Sequence, residues 1–270
     1  MGQDTRFSRA QRDLLDLMDT PVWAPRSADE PPVDAVPGGE GVPPSRRAGC
    51  PPPQVLAGRP PAQDDSRAAT SMPPPAAAPP ELEALCSKVA ACTACALHSG
   101  RRQTVFGVGN PRADWMFVGE GPGEEEDRRG EPFVGRAGKL LDAMLRAMQL
   151  DRTTVYIANI VKCRPPNNRN PGLDEAAACI PYLKRQIELI APRLIVALGA
   201  VAAQRLLETD RPVGAMRGKL HHAAHLEPPV LVTYHPAYLL RSPGQKGKAW
   251  EDLQLAMREM DALLEEQSAA

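Results

Sequence analysis

The chain lacks any uninterrupted apolar stretch approaching the length of a membrane span, and its opening residues, Met1-Gly2-Gln3-Asp4, carry no apolar segment of signal-peptide type. The expectation is a cytoplasmic protein with no membrane partner. Excess charge of either sign is also missing. A formal net charge of -1 argues against indiscriminate adhesion to nucleic acid and leaves room only for a local basic strip. Phosphate-cradling motifs are absent where they would be sought first: the glycine-rich stretch Gly119-Glu120-Gly121-Pro122-Gly123 fits neither GxxxxGK[ST] nor GxGxxG, and it runs into four consecutive acids, Glu124 to Asp127. Nucleotide binding of that kind is set aside. A secreted disulfide framework is missing too. The six cysteines include Cys92-x-x-Cys95 and a later, separated pair, Cys163 and Cys179, a layout closer to a metal site, with Cys50 and Cys86 left over.

What is present is unevenly spread. About 17 of the 30 prolines precede Glu81, in tracts such as Pro51-Pro52-Pro53, and proline cannot donate the backbone bonds a core needs. Residues 1–80 therefore read as a largely disordered extension. Leu14, Leu15, Leu17 and Met18 allow one short amphipathic helix over residues 6–18, which would need a partner surface to be stable. The folded domain is expected over residues 81–270. Trp115-Met116-Phe117-Val118 reads as a first buried strand, with further strands from Val155 to Val161, Leu194 to Leu198 and Val230 to Tyr234. Helical patterns fall from Glu81 to Ala90, Ala137 to Met148, Leu173 to Ile190, Ala200 to Leu207 and Lys248 to Leu264. Alternation of this kind predicts an α/β fold, three layers (α/β/α) about a central four-stranded, mainly parallel sheet. The stretch from Val213 to Glu227, with His221, His222 and His225, reads equally as hairpin or loop, and its histidine spacing is unlike a helical metal pair.

In such a sheet, ligands bind beyond the carboxyl ends of the strands. The acidic turn, Asn159 and His235 each stand at such an end, so topology alone gathers them into a site. After His235 come Leu239, Leu240, Arg241, Lys246 and Lys248. Leucines flanked by cations are what a DNA-penetrating wedge with phosphate anchors requires, and a base-flipping enzyme needs such a wedge because unstacking a base costs a few kcal/mol. A capped helix start is the plainer reading of the same residues.

Taken together, Gly119-Glu120-Gly121-Pro122-Gly123-Glu124-Glu125-Glu126-Asp127, Pro132-Phe133-Val134-Gly135, Asn159-Ile160-Val161-Lys162-Cys163-Arg164-Pro165-Pro166 and His235-Pro236-Ala237-Tyr238-Leu239-Leu240-Arg241 closely resemble the iron-sulfur family 4 uracil-DNA glycosylases, in order, over roughly Leu82 to Leu264. The resemblance implies a uracil-DNA glycosylase fold and an enzyme of base excision repair. Such an enzyme flips uracil out of single- or double-stranded DNA, hydrolyses its N-glycosidic bond and leaves an abasic site. It also implies a 4Fe-4S cluster on Cys92, Cys95, Cys163 and Cys179. Four thiolates suit zinc equally well on chemistry alone, and the resemblance is what selects the cluster.

By the same resemblance Phe133 stacks on the flipped uracil, Asn159 reads its polar edge and His235 donates a hydrogen bond to the ring oxygen that gains charge as the bond breaks. Glu120 and Gly121 hold the base through their amides, and Asn168 positions water or DNA. The aspartate that other uracil glycosylases carry in the first motif falls where this chain has Gly121, so a direct general base is missing. Glu120 and Glu126 are the candidate carboxylates for assisting water, with Glu126 alternatively excluding the thymine methyl. A related group traps its product through a histidine in a basic loop. Asn167-Asn168-Arg169-Asn170-Pro171 has no such histidine, and no lysine stands out for strand cleavage, which predicts a monofunctional hydrolase. The competing reading is a non-catalytic iron-sulfur or zinc module that binds nucleic acid and recruits a protein partner through the N-terminal tail. Nothing in the sequence demands more than a monomer.

Overall fold

The computed structural model describes residues 78–268, so the expected helix at residues 6–18, the extension around it and Cys50 lie outside the described residues. Four buried strands form the centre: β2 (Trp115–Gly119), β3 (Tyr156–Asn159), β4 (Leu194–Leu198) and β6 (Val230–Thr233), each with every residue buried. Strands buried on both faces must be apolar throughout, which is why they read as continuous runs in the sequence. All pair in parallel, β2 lying between β3 and β4, and β4 between β2 and β6.

The sheet has six strands where four were expected. Two antiparallel edge strands of two residues each complete it: β1 (Val108–Gly109) against β3, and β5 (Leu220–His221) against β6. Strands of two residues have no hydrophobic period to detect. The undecided stretch from Val213 to Glu227 thus holds a short helix, α6 (Val213–Met216), and the edge strand β5. Two of its three histidines are occupied with backbone: His221 Nε2 lies 2.6 Å from the Met216 carbonyl and His225 Nε2 3.0 Å from that of Leu206.

Helices cover both faces. On one side α4 (Leu173–Ile190), α5 (Ala200–Leu206) and Met216 bury Leu183, Ile187, Ala203 and Leu206 against Met116, Ala158, Ala197 and Val232. The helix α1 (Pro80–Ala90) packs against α4 through Leu82, Leu85, Cys86 and Val89. On the other side α8 (Lys246–Ser268) lies on β4 and β6, while α3 (Arg136–Ala147) packs on α7 (Pro236–Arg241). The acidic stretch is a turn only as far as Gly123: Glu124–Arg129 is a helix, α2, whose first turn carries the acids because the helix dipole favours negative charge there. Asp127, the last acid of the run, is buried and accepts the Arg102 amide with both oxygens, at 2.9 and 3.2 Å. No helix among the described residues is long and apolar enough to cross a membrane.

The fully buried Asp252 ties α8 to the end of β6. It accepts the Thr233 hydroxyl at 2.9 Å and pairs with the Arg217 guanidinium at 3.0 and 3.1 Å. Arg217 is partly exposed and keeps Glu251 as a partner at 3.1 Å, so Asp252→Ala costs chiefly the buried hydrogen bonds and is expected to lower unfolding free energy by about 1–3 kcal/mol in denaturant titrations. A loss of a few tenths would mean that the network adds nothing at this strand end.

Candidate active site

The carboxyl ends of β2, β3 and β6 meet at one edge of the sheet. Backbone pairing continues past the last strand residues there, with the Ile160 amide on the Gly119 carbonyl at 2.9 Å and the Val161 amide on that of Glu120 at 3.2 Å. Beyond this edge opens a cleft of about 310 Å³. It brings together Glu120, Gly121, Glu126, Phe133, Asn159, Asn168, His235 and Arg241, all expected at the site, and adds Arg169. Residues up to 121 positions apart thus share one cavity because four strands run the same way.

Asn159 closes β3 and is buried, yet its Oδ1 has no hydrogen-bond partner. Leaving a buried carbonyl unsatisfied costs about 1–3 kcal/mol, a cost that a ligand's N–H would remove. Gly119, opposite Asn159 in the ladder, makes the space: a Cβ there would stand 2.5 Å from Asn159 Oδ1 and 2.5 Å from the Phe133 ring. Only glycine lets an amide and an aromatic face share this corner.

Phe133 is buried, with its ring centroid 5.6 Å from that of His235. Its backbone is left-handed, φ 56°, a region that costs a non-glycine residue about 1–2 kcal/mol. Two side chains hold it. Glu126 Oε1 accepts the Val134 and Gly135 amides at 2.9 and 3.0 Å, and its Oε2 accepts the Gly123 amide at 3.1 Å. On the other side Arg152 donates to the Pro132 and Phe133 carbonyls and pairs with Asp142 at 2.7 Å.

His235 caps α7, its Nδ1 accepting the Ala237 amide at 3.1 Å. An imidazole that accepts at Nδ1 carries its proton on Nε2 and offers a donor from there. Burial, aided by the positive charge of Arg241, pushes its pKa down from 6.5 to about 4. Burial likewise raises Glu120 above the ordinary carboxylate range, with Arg241 opposing.

Two residues expected to touch DNA are buried within the protein. Leu239 is fully buried on the inner face of α7, and Lys246 is buried at the start of α8, where burial lowers its pKa. Helical periodicity turns one leucine of the pair inward; Leu240 stays partly exposed, and Arg241 and Lys248 are exposed. Two rim cations are paired within the protein: Arg169 forks onto Glu175 at 2.7 and 2.8 Å, and Arg164 donates to Asn168 Oδ1 at 2.7 Å.

The cysteines form a second site. Cys92 and Cys95 follow α1, Cys163 follows β3, Cys179 lies on α4, and all four line one pocket with Arg101, Lys162 and Tyr182. Arg101 donates to Cys163 Sγ at 3.1 Å and to the carbonyls of Cys92 and Ala90 at 2.8 and 2.9 Å. Among the described residues, no three His, Cys, Asp or Glu side chains are gathered as one ion would need. Four cysteines lining one pocket make an all-sulfur donor set of the kind that soft metals and iron-sulfur groups take.

The profile of the uracil DNA glycosylase superfamily matches residues 106–254. The chain is similar to a type-4 uracil-DNA glycosylase of Thermotoga maritima, 46% identical over 170 residues, covering 60% of this chain and 84% of that protein. It is 41% identical over 179 residues to the type-4 uracil-DNA glycosylase of Pyrobaculum aerophilum, covering 64% and 91%. A third, from Sulfurisphaera tokodaii, is 44% identical over 178 residues, covering 63% and 81%. The chain belongs to the type-4 uracil-DNA glycosylases.

The superfamily span of this type-4 glycosylase contains Cys163 and Cys179 but begins after Cys92 and Cys95, so the four-thiol pocket joins that span to the segment before it. Sequence reasoning missed Arg152, Arg101 and the buried Lys162, whose Nζ donates to the Asn159 carbonyl at 2.9 Å and to Gln186 at 2.5 Å. Each has at least one partner in a separate segment, and a lone cation in a sequence carries no signal of its partners.

Because the folded pKa of His235 is depressed, the unfolded chain binds its proton first as pH falls. The associated stability is whole above about pH 6.5 and is lost between there and about pH 4. Imidazole NMR of the folded protein is expected to show the neutral Nε2–H tautomer at pH 7 and a midpoint near pH 4; titration near 6.5 would mean that the ring is open to water.

Proposed function

We propose that this protein is a monofunctional DNA-repair glycosylase that extrudes uracil from DNA, hydrolyses its N-glycosidic bond and leaves an abasic site. The observation that carries the reading is the orphaned Asn159 Oδ1, buried in a cleft beside an aromatic ring and a neutral histidine donor. Uracil presents N3–H next to a carbonyl oxygen, and an amide matches that pair with one acceptor and one donor. Phe133 stacks on the base, and the edge contacts of Asn159 discriminate it.

Bond cleavage places negative charge on the departing base. Nε2–H of His235 meets that charge as a neutral donor, so no proton is needed from solution, and the amides of Glu120 and Gly121 lie along the same wall. The sugar becomes oxocarbenium-like as the base leaves, and a carboxylate beside it favours both that cation and attack by water. Glu120 takes this role. Glu126 has both oxygens committed to backbone amides, which makes it a positioning residue for the Phe133 loop. Arg241, Lys248 and Leu240 face the DNA; Asn168, held by Arg164, lines the opposite rim.

Cys92, Cys95, Cys163 and Cys179 hold a 4Fe-4S cluster in this reading, and the all-thiol donor set converging on one pocket fits it. The chemistry it supplies is a covalent tie between the segment after α1, the end of β3 and α4.

Purified protein incubated with a uracil oligonucleotide and then treated with alkali is expected to give strand breaks at uracil and none at thymine. His235→Ala should slow release by about 10²–10³-fold, as loss of one oxyanion donor does. Phe133→Ala should slow it by about 5–150-fold, the equivalent of one lost base stack, with iron content unchanged in both variants. No release by folded, iron-containing protein would overturn the assignment. Separately, Cys163→Ser is expected to bleach the visible iron-sulfur absorbance and lower iron content; full retention would remove Cys163 from the ligand set.

A further inference from the structure

We infer that Arg152 is a positioning residue for uracil excision, acting through Phe133; the inference rests on the assignment of Phe133 to the flipped base. Arg152 lies in the loop after α3, outside the cleft and absent from its lining. Its guanidinium is largely buried and uses three of its donor directions: Nε to Asp142 on α3, Nη1 to the Pro132 carbonyl at 3.0 Å and Nη2 to the Phe133 carbonyl.

The geometry is selective. In an extended chain successive carbonyls point to opposite sides, so a single planar fork cannot take two in a row. At Phe133, where φ is 56°, the two carbonyls point to one side, since both accept from the Arg152 guanidinium. The guanidinium therefore recognises the conformer that delivers the ring to the cleft and to within 5.6 Å of the His235 ring. Gly138 on α3 packs so closely on the Phe133 carbonyl that a Cβ there would overlap it, which removes room for the loop to relax another way. Glu126 grips the amides of the next two residues from the opposite side. Phe133 stands between two polar clamps, and Arg152 is the one that reads its backbone conformation.

A double-mutant cycle on the full-length, iron-containing protein tests this, with single-turnover release of uracil, KM and melting temperature as readouts. Arg152→Ala is expected to slow release about 5–150-fold and by no more than Phe133→Ala does, with little change in KM or iron content. In the Phe133→Ala background the same change is expected to have almost no further effect, because the ring it places is gone. Arg152→Lys keeps the charge near Asp142 without the planar fork and is expected to fall between wild type and Arg152→Ala, which keeps the test open should the alanine variant fold poorly. If either Arg152 variant slows release by the same factor with and without the Phe133 ring, the residue serves general stability and the inference is overturned while the glycosylase reading stands. Absence of release by the wild-type protein overturns both.

Discussion

The backbone ladder between β2 and β3 is the constraint on which the site depends. Gly119 opposes Asn159, and the ladder continues through Ile160 and Val161, so the first-motif loop leaves the sheet beside the amide proposed to read the base. A slip of one residue would swap the faces of every side chain on the strand and carry Asn159 out of the cleft. Full burial of both strands excludes that slip, since any other register drives an amide into the apolar layer. Recognition is in this sense a by-product of core packing: the same apolar runs that set the register set the position of the amide.

Polar side chains do the complementary work for an apolar one. Phe133 sits in a backbone conformation that costs about 1–2 kcal/mol and is held there by a carboxylate and a guanidinium gripping consecutive peptide groups. Charge-assisted hydrogen bonds contribute about 1.5–3 kcal/mol each when sheltered, so even two partly exposed ones offset the strain. The result is a ring placed before substrate arrives, and the ordering cost falls on folding instead of on binding. Glu126 illustrates how the role of a residue changes with its surroundings: in the sequence it is one acid in a run of four, and in the fold both its oxygens cap and clamp.

Much of this was legible in the sequence, for identifiable reasons. The bounds of α4 and β4 are those read from apolar period and run length, and α8 and β3 differ only at their ends, where helix fraying and short ladders leave no pattern. The gathering of Glu120, Asn159 and His235 at one edge followed from strand direction alone. What escaped was of two kinds. The edge strands β1 and β5 are too short to carry a period, so a six-stranded sheet read as four. Leu239 and Lys246 read as surface because leucine and lysine beside turn formers look exposed, whereas the six-residue helix α7 turns Leu239 to the core and the start of α8 covers Lys246. Contacts such as Arg152 with Pro132 span segments with no shared local pattern.

The buried cation between the two sites follows the same logic of placement. Lys162 is almost wholly enclosed, and its ammonium touches only neutral acceptors, the Asn159 carbonyl and Gln186, which in turn donates to Phe106 and Tyr156. Burial pulls its pKa down to about 8, and the charge of Cys179 across the thiol pocket opposes that fall. A lysine so placed is costly unless polar partners hold it, and here two neutral oxygens do so at the wall of the thiol pocket. The same ammonium holds the backbone carbonyl of the residue whose side chain faces the cleft. The thiol pocket and the strand that ends in Asn159 are therefore joined by one buried lysine side chain as well as by chain connectivity.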